Sequence, residues 1–544
     1  MKENLLSIKD LDVILPEGSD RKYAVQNIDL DIKAGETVCV VGESGSGKSL
    51  TARAIMGLLP APHVRVENGE IIFGKKDLVK IDYESLRQIR GSEISMIFQE
   101  PMTALNPVMS IGSQIDEIFR YHVSMSSKQR RAKAINLLES VNLPDPYQIV
   151  NSYPHELSGG QRQRAMIAMA LALSPKLLIA DEPTTALDVT TEAQILSLIK
   201  EMQKRYNSGV LFITHDFGVV ADIADRVVVM QDGLLVETGT VEQVLNNPVH
   251  SYTKSLIAAV PSLTPRKPRK SSKDIVLQVN NINKTFGGGK SFFGLGKNSR
   301  VVKAVENVSI ELFKGETLGV VGESGSGKST LARCIIKLLE SDKGEVLLDG
   351  KDLTSLTRSE MRPLRTKIQM VFQDPFASLN PRNKVGKIIA QGPLTQGFSK
   401  NECEKRAKEL LSVVGLEDKA YNRFPHEFSG GQRQRIGIAR ALALKPEILV
   451  ADEPVSALDV SIQAQILELL DEIRNQMNLS VLFITHDLRV AAQVCDRLAV
   501  MQYGKIVEIG KTADLFNNPS HEYTKALLDA VPGKKWKKDG ILYN

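Results

Sequence analysis

The chain has 544 residues, 42% of them hydrophobic and 24% charged, which is the composition of a folded globular protein with room for two or more domains. Its 69 basic and 64 acidic residues leave a formal net charge of +5, too slight an excess on this length to read as a nucleic-acid footprint. No apolar run approaches the ~18 residues of a membrane span, and the N-terminus MKENLLSIKDLDV meets charge too soon for a signal peptide, so a cytosolic protein is expected.

In chain order, LLSIKDLDVIL (5–15) and AVQNIDLDIKAG (24–35) alternate like half-buried antiparallel strands. ETVCVV (36–41) predicts a short apolar strand in which Cys39 is a small core residue. The four cysteines, Cys39, Cys334, Cys403 and Cys495, form no CxxC pair, which argues against structural zinc and against a disulfide framework. The strand feeds VVGESGSGKS (40–49), and SLTARAIMGLL (49–59) then has helical spacing. Gly42-x4-Gly47-Lys48-Ser49 is a phosphate-binding loop: glycine lets backbone N–H groups wrap phosphate oxygens, and the helix that follows favours negative charge at its start. The candidate nucleotide contacts are Gly42, Ser44, Gly45, Gly47, Lys48, Ser49 and Leu50. Lys48 supplies a cation for the β- and γ-phosphates, and the Ser49 hydroxyl suits Mg²⁺.

Gln99 follows the short strand SMIF, where its amide can reach a metal or an attacking water. Ser158, Gly159, Gly160 and Gln161 open an apolar helix and make a second anion site. LLIADE (177–182) is an apolar strand ending in two carboxylates, with Asp181 suited to Mg²⁺ and Glu182 to general-base work on water. AQILSLIKEMQKRY (193–206) is helical, and GVLFITHD (209–216) is a buried strand that delivers His215 to the γ-phosphate. PSLTPRKPRKSSK (261–273), proline-broken and basic, predicts an extended flexible linker, and GGGKSFFGLGKNS (287–299) a surface loop.

After the linker the blocks return in the same order. GESGSGKS recurs at 42 and 322, an offset of 280; IFQEPMTALNP at 97 is answered by VFQDPFASLNP at 371, an offset of 274. The blocks starting at 153, 177 and 211 are answered at 424, 448 and 482, an offset of 271. The second set of candidates is Gly322, Ser324, Gly325, Gly327, Lys328, Ser329 and Thr330; Gln373; Ser429, Gly430, Gly431 and Gln432; Asp452 and Glu453; and His486. Mg²⁺ would fall to Ser49, Gln99 and Asp181, and to Ser329, Gln373 and Asp452. Strands alternating with helices argue an α/β fold with a largely parallel sheet, duplicated as domains 1–260 and 274–544 on either side of the linker 261–273. One nucleotide per domain does not need two phosphate sites, but two domains facing head to tail do. Lys48, Asp181, Glu182 and His215 are then expected to work with Ser429, Gly430 and Gly431, and Lys328, Asp452, Glu453 and His486 with Ser158, Gly159 and Gly160.

These blocks, in this order, resemble the nucleotide-binding domains of ATP-binding cassette (ABC) transporters over nearly the whole chain. The resemblance implies two tandem P-loop NTPase domains, each with a small antiparallel β subdomain and a helical subdomain. It also implies ATP and Mg²⁺ as cofactors and an ATPase coupled to a membrane permease. An adenine-stacking aromatic is implied ahead of each phosphate loop. Tyr23 and Phe286 are the candidates, 25 and 42 residues before Lys48 and Lys328, with Val25 and Val302 as alternatives. FQEPMTALNP, FQDPFASLNP and the tails NPVHSYTKSLIAAVPS (247–262) and NPSHEYTKALLDAVP (518–532) look like the peptide, nickel and glutathione importer ATPases. A fused pair is similar to the Yej-type importers of peptides and microcin C, and to the glutathione importer. The tails carry HSYT and HEYT where that group has HPYT, and neither contains the cysteines of an iron–sulfur cluster. The implied partners are two permease subunits and, through them, a substrate-binding protein, at the cytoplasmic face of the bacterial inner membrane. No second ATPase chain and no nucleic acid is implied. Glutathione or nickel import is the alternative. A soluble tandem ATPase acting on ribosomes or DNA is disfavoured by the short linker and the missing zinc cysteines and coiled coil.

Overall fold

Two kinds of apolar pattern build two kinds of sheet in each half. The structure, a computed structural model, describes residues 4–184, 187–269, 272–287, 301–456 and 458–536. The insert beyond Gly287 therefore lies outside the described residues. Unit 1 comprises Met1–Val260 together with Val531–Asn544, and unit 2 comprises Pro261–Ala530.

In unit 1, β1 (Asn4–Ile14), β2 (Tyr23–Lys33), β4 (Arg65–Phe73) and β5 (Lys76–Asp77) form an antiparallel sheet in the order β2-β1-β4-β5. Leu6 and Ile8 point inward, but the next buried residue is Leu11, three positions on. A bulge at Lys9–Asp10, with Asp10 at φ 49°, brings the phase back. The second sheet has the order β10-β9-β3-β8-β7-β6 and uses β3 (Thr37–Val41), β6 (Ile94–Ile97), β7 (Leu177–Asp181), β8 (Gly209–Ile213), β9 (Arg226–Gln231) and β10 (Leu234–Thr240). Its pairs are parallel except β9 with β10. β3, β7 and β8 are buried at every position, which is why they read as continuous apolar runs rather than alternations.

Helix α1 (Lys48–Ile55) lies in the core joining the two sheets, where Ile55, Leu6, Val38 and Ile179 belong to one apolar cluster. Between β6 and β7 the chain makes helices at Ile111–His122, Ser127–Ser140 and, as α2, Gly159–Ala170. Helix α3 (Phe217–Ile223) follows β8 directly.

Unit 2 repeats this order. Its antiparallel sheet is β12-β11-β14-β15, from β11 (Ile275–Phe286), β12 (Val302–Phe313), β14 (Lys343–Leu348) and β15 (Lys351–Asp352), with the same bulge at Asn280–Asn281. The main sheet is β16-β17-β18-β13-β19-β20, from β13 (Thr317–Val321), β16 (Ile368–Val371), β17 (Ile448–Asp452), β18 (Ser480–Thr485), β19 (Arg497–Gln502) and β20 (Lys505–Lys511). Helices α4 (Lys328–Ile335), α5 (Gly430–Leu442) and α6 (Leu488–Val494) answer α1, α2 and α3.

The stretch that reads as a flexible linker makes definite contacts within unit 2. Arg266 donates its backbone N–H to Ala492 O at 2.9 Å, and the Arg269 guanidinium meets Asp471 at 2.6 Å. Arg266 and Arg269 are partners for the half-buried Asp471 rather than solvated linker charge.

Candidate functional site

The phosphate loops close because glycine alone fits. Gly42 and Gly47 stand at φ 151° and 105°; a Cβ on Gly42 would strike Met230 O, and one on Gly47 would lie 2.7 Å from Ala24 O. Gly322 and Gly327 stand at φ 152° and 106°, against Met501 O and Ala304 O. Lys48 is buried at the start of α1, and its Nζ donates to Gly42 O (2.7 Å) and Glu43 O (2.8 Å). Lys328 Nζ does the same to Gly322 O and Glu323 O, both at 2.8 Å. Ser49 Oγ donates to Asp181 Oδ1 at 2.8 Å and Ser329 Oγ to Asp452 Oδ1 at 2.9 Å, so the loop and the carboxylate strand meet in each unit. Burial pushes Asp181 and Asp452 above the ordinary carboxylate range, against the lowering effect of the serine hydroxyls.

Each neighbouring glutamate is held from two sides. Gln99 Nε2 donates to Glu182 Oε2 at 3.0 Å, and His215 Nδ1 lies 3.5 Å from Glu182 Oε1. In unit 2, Gln373 Nε2 donates to Glu453 Oε2 at 2.8 Å, and His486 Nδ1 lies 3.2 Å from Glu453 Oε1. Burial raises Glu453, but the neighbouring His486 outweighs it and holds the carboxyl below its usual value; burial lowers His486, and Glu453 more than reverses this. Both glutamates sit at φ 46°, a left-handed conformation that costs a non-glycine residue about 1–3 kcal/mol. Their N–H groups anchor it by donating to Ile213 O (3.0 Å) and Ile484 O (2.9 Å) across the sheet.

The serine-glycine turns are capped helix starts. Ser158 caps α2: Gln161 N donates to Ser158 Oγ at 3.3 Å, and Ser158 N to Gln161 Oε1 at 2.9 Å. Ser429 and Gln432 repeat the box on α5 at 3.4 and 3.1 Å. Ser158, Gly159, Ser429 and Gln432 are exposed, Gly160 and Gly430 half-buried, and Gly431 buried beside Ile462.

The aromatic candidates occupy non-equivalent places. Tyr23 opens β2 opposite Ile14, whereas Phe286 closes β11 opposite Val302. Gly47 abuts Ala24 and Gly327 abuts Ala304, so the position answering Tyr23 in unit 2 is Lys303. Val25 is fully buried against the loop, and Val302 is 48% exposed.

Two contacts escape the motif reading. The Arg21 guanidinium donates to Gly45 O and pairs with Asp232 at 3.6 Å; unit 2 has Val301 at that place. In the tails, Tyr252 OH accepts from Glu43 N and Tyr523 OH from Glu323 N, each at 3.1 Å, so the HSYT and HEYT tyrosines touch their own phosphate loops. The repeated tail motif carried that signal, and its chemistry did not.

The chain matches the ABC transporter family over residues 25–185 and 305–456, and the oligopeptide/dipeptide transporter C-terminal region over 236–294 and 507–543. It belongs to the ABC transporter family and is an ATP-binding ATPase of that family, with two cassettes in one chain. It is 48% identical to the peptidoglycan transport ATP-binding protein YejF of Agrobacterium fabrum over 97% of this chain and 96% of that one. It is 46% identical to the glutathione import ATP-binding protein GsiA of Salmonella paratyphi A, and 44% identical to that of Pectobacterium atrosepticum. These cover 97% and 98% of this chain and 90% of each relative. Among the described residues no helix is long and apolar enough to cross a membrane.

Proposed function

We propose that this chain is the ATP-hydrolysing subunit of an importer of peptides, at the cytoplasmic face of the bacterial inner membrane, with two permease subunits and a substrate-binding protein as partners. The observation that carries the reading is the complete lysine–serine–aspartate–glutamate–glutamine–histidine cluster in both units, joined to two oligopeptide-type tails. Two full clusters require no second ATPase chain.

The cradle fits a nucleotide. Its glycines leave no Cβ between backbone N–H groups and a phosphate, and buried Lys48 and Lys328 donate to loop carbonyls that phosphate oxygens can replace. Ser49 with Asp181 and Gln99, and Ser329 with Asp452 and Gln373, are all-oxygen donor sets that suit Mg²⁺. When bound, the ion would supply charge neutralisation on the phosphate oxygens. Glu182 and Glu453 take the proton of the attacking water, held in place by Gln99 and Gln373, while His215 and His486 steady the carboxylate and sense the γ-phosphate. The capped turns at Ser158–Gln161 and Ser429–Gln432 are helix N-termini of the kind that bind phosphate, and the head-to-tail sandwich expected from the sequence would use them only with ATP bound. Closure and release are then what a permease reads.

Co-expression with a permease pair and vesicle uptake of labelled oligopeptide tests the reading. ATP-dependent peptide uptake supports it. Uptake of glutathione alone transfers the assignment to the second reading, which the GsiA relatives favour. Ribosome co-sedimentation without membrane recovery removes both.

A further inference from the structure

The helices that follow the two histidines have unusual partners. Helix α3 starts at Phe217, two residues after His215, and within unit 1 it is met by the last described residues of the chain. Gly533 N donates to Asp222 Oδ2 at 2.8 Å, 311 residues away in sequence. A Cβ on Gly218 would lie 2.6 Å from Pro532 O, and one on Gly533, at φ 67°, would lie 2.6 Å from Gly218 Cα. Trp536, the chain's single tryptophan, is buried, and its indole N–H donates to Asn246 Oδ1 at 3.0 Å.

Helix α6 starts two residues after His486, and within unit 2 it is met by the residues that follow unit 1's tail helix. Gln493 Nε2 donates to Ser262 O and Thr264 O, both at 2.9 Å, and Arg489 to Pro261 O at 3.3 Å. At the 271-residue offset Gly218 answers Arg489, Asp222 answers Gln493, Pro532 answers Pro261 and Gly533 answers Ser262. The same stretch of each tail therefore sits on the same face of the same helix, but in the other unit.

The two arrangements are not interchangeable. Arg266 and Arg269 meet Asp471 at 3.3 and 2.6 Å, whereas unit 1 has Lys200 at that place. Position 265 holds proline where position 536 holds the docking tryptophan. Each tail also has Tyr252 or Tyr523 on its own phosphate loop, nine and eight residues before the chain passes into the other unit.

We propose that these segments are reciprocal straps. Val531–Trp536 positions the helix behind His215, and Pro261–Arg269 positions the helix behind His486. Each half's tail thereby links its own phosphate loop to the opposite half's γ-phosphate sensor. Gly218, Asp222, Asn246 and Trp536, and Arg266, Arg269 and Gln493, are positioning residues that never touch nucleotide. The proposal rests on the ATPase reading above.

The test uses the full chain. Gly218→Val and, separately, Gly533→Val should shift the tryptophan emission to the red and speed hydrogen exchange over 217–223 by at least about tenfold, leaving 488–494 unchanged. Arg266→Ala with Arg269→Ala should loosen 488–494 only and leave the emission in place. Both sets should lower kcat with little change in KM for ATP, because the phosphate loops are untouched. Asp222→Asn, which keeps an acceptor for Gly533 N–H, should behave as wild type, and Asp222→Ala should not. Should a valine variant fold poorly, Asn246→Ala removes the indole's acceptor without adding bulk. Equal loosening of both helices, or an undocked tryptophan with unchanged kcat, overturns the strap. A wild-type chain that hydrolyses no ATP defeats the ATPase reading instead, while exchange and emission still decide the strap.

Discussion

The two phosphate loops differ by no more than 0.1 Å in their key hydrogen bonds, yet what surrounds them differs residue by residue. Ser49–Asp181 spans 2.8 Å and Ser329–Asp452 2.9 Å, and each lysine finds the same two carbonyls. One residue further, Leu50 packs against the core of unit 1 where unit 2 has the hydroxyl of Thr330. Arg21 braces Gly45, and Val301 stands in its place in unit 2. His215 is 3.5 Å from its glutamate and His486 3.2 Å, with side chains 36% and 25% exposed. Arg440, half-buried and donating to Ser378 O, answers Met169. Groups whose atoms must lie where phosphate oxygens go have one workable geometry. Groups that only hold those atoms have several, so they drift after duplication. The lesson is two sites with the same chemistry and different support.

The comparison breaks hardest at the bases. Glu182→Gln with Glu453→Gln is expected to lower ATP turnover by about 10²–10⁴-fold while ATP is still retained, measured by phosphate release and nucleotide binding on the same preparation. Full residual turnover would remove the glutamates from the role. A smaller effect is expected from the loop glycines. Gly47→Val and Gly327→Val each force a side chain at φ near 105° against backbone carbonyls, and each should cost about 1–3 kcal/mol of stability in its own unit. Differential scanning calorimetry with and without nucleotide checks this; equal ligand-induced stabilisation of variant and wild type would show that the loop holds no phosphate. Smaller again is the exchange of supports. Thr330→Leu should weaken nucleotide binding by about 1 kcal/mol, the net worth of one hydrogen bond, and Leu50→Thr should strengthen it while loosening the core. Titration calorimetry that leaves both variants at wild-type affinity would make the asymmetry silent.

The fold and the chemical clusters were legible for a physical reason. Charged side chains at the ends of wholly apolar strands, and glycines at fixed spacing before a helix, have few other uses, so Lys48, Asp181, Glu182 and their counterparts announce themselves. The tail connections did not. Pro261–Arg269 and Val531–Trp536 dock through backbone carbonyls and single side chains, which impose no period, and their prolines and basic residues carry the composition of a solvated linker. Asp471, the acidic partner of Arg266 and Arg269, lies some 200 residues away and means nothing until the chain is folded. The aromatic pair shows a related limit. Counting back from Lys328 by the 25 residues that separate Tyr23 from Lys48 lands on Lys303, whereas Phe286, 42 residues back, lies on β11 opposite Val302; the search for an aromatic passed over the residue at Tyr23's place because it is a lysine.

The smallest effect is expected where the halves agree most. Burial pushes the Glu237 carboxyl up. The Thr253 hydroxyl beside it and the N–H groups of Val249 (2.7 Å) and His250 (3.1 Å) outweigh this and hold it below the ordinary range. Glu508 is held the same way by Thr524, Ser520 N (2.7 Å) and His521 N (3.1 Å). A carboxylate whose folded pKa is depressed contributes stability that is present above its unfolded value, 4.5, and is lost as pH falls through the folded value. These turns set the start of the helices that carry Tyr252 and Tyr523 to the phosphate loops, so acid should loosen both tails together. Hydrogen exchange over 251–259 and 522–529 between pH 7 and pH 4 should therefore rise in parallel beyond the intrinsic pH effect. Glu237→Gln should loosen 251–259 already at neutral pH and flatten its acid response, without altering that of 522–529. Acid loosening confined to one tail would mean that the two turns, identical in their backbone donors, are not doing the same work.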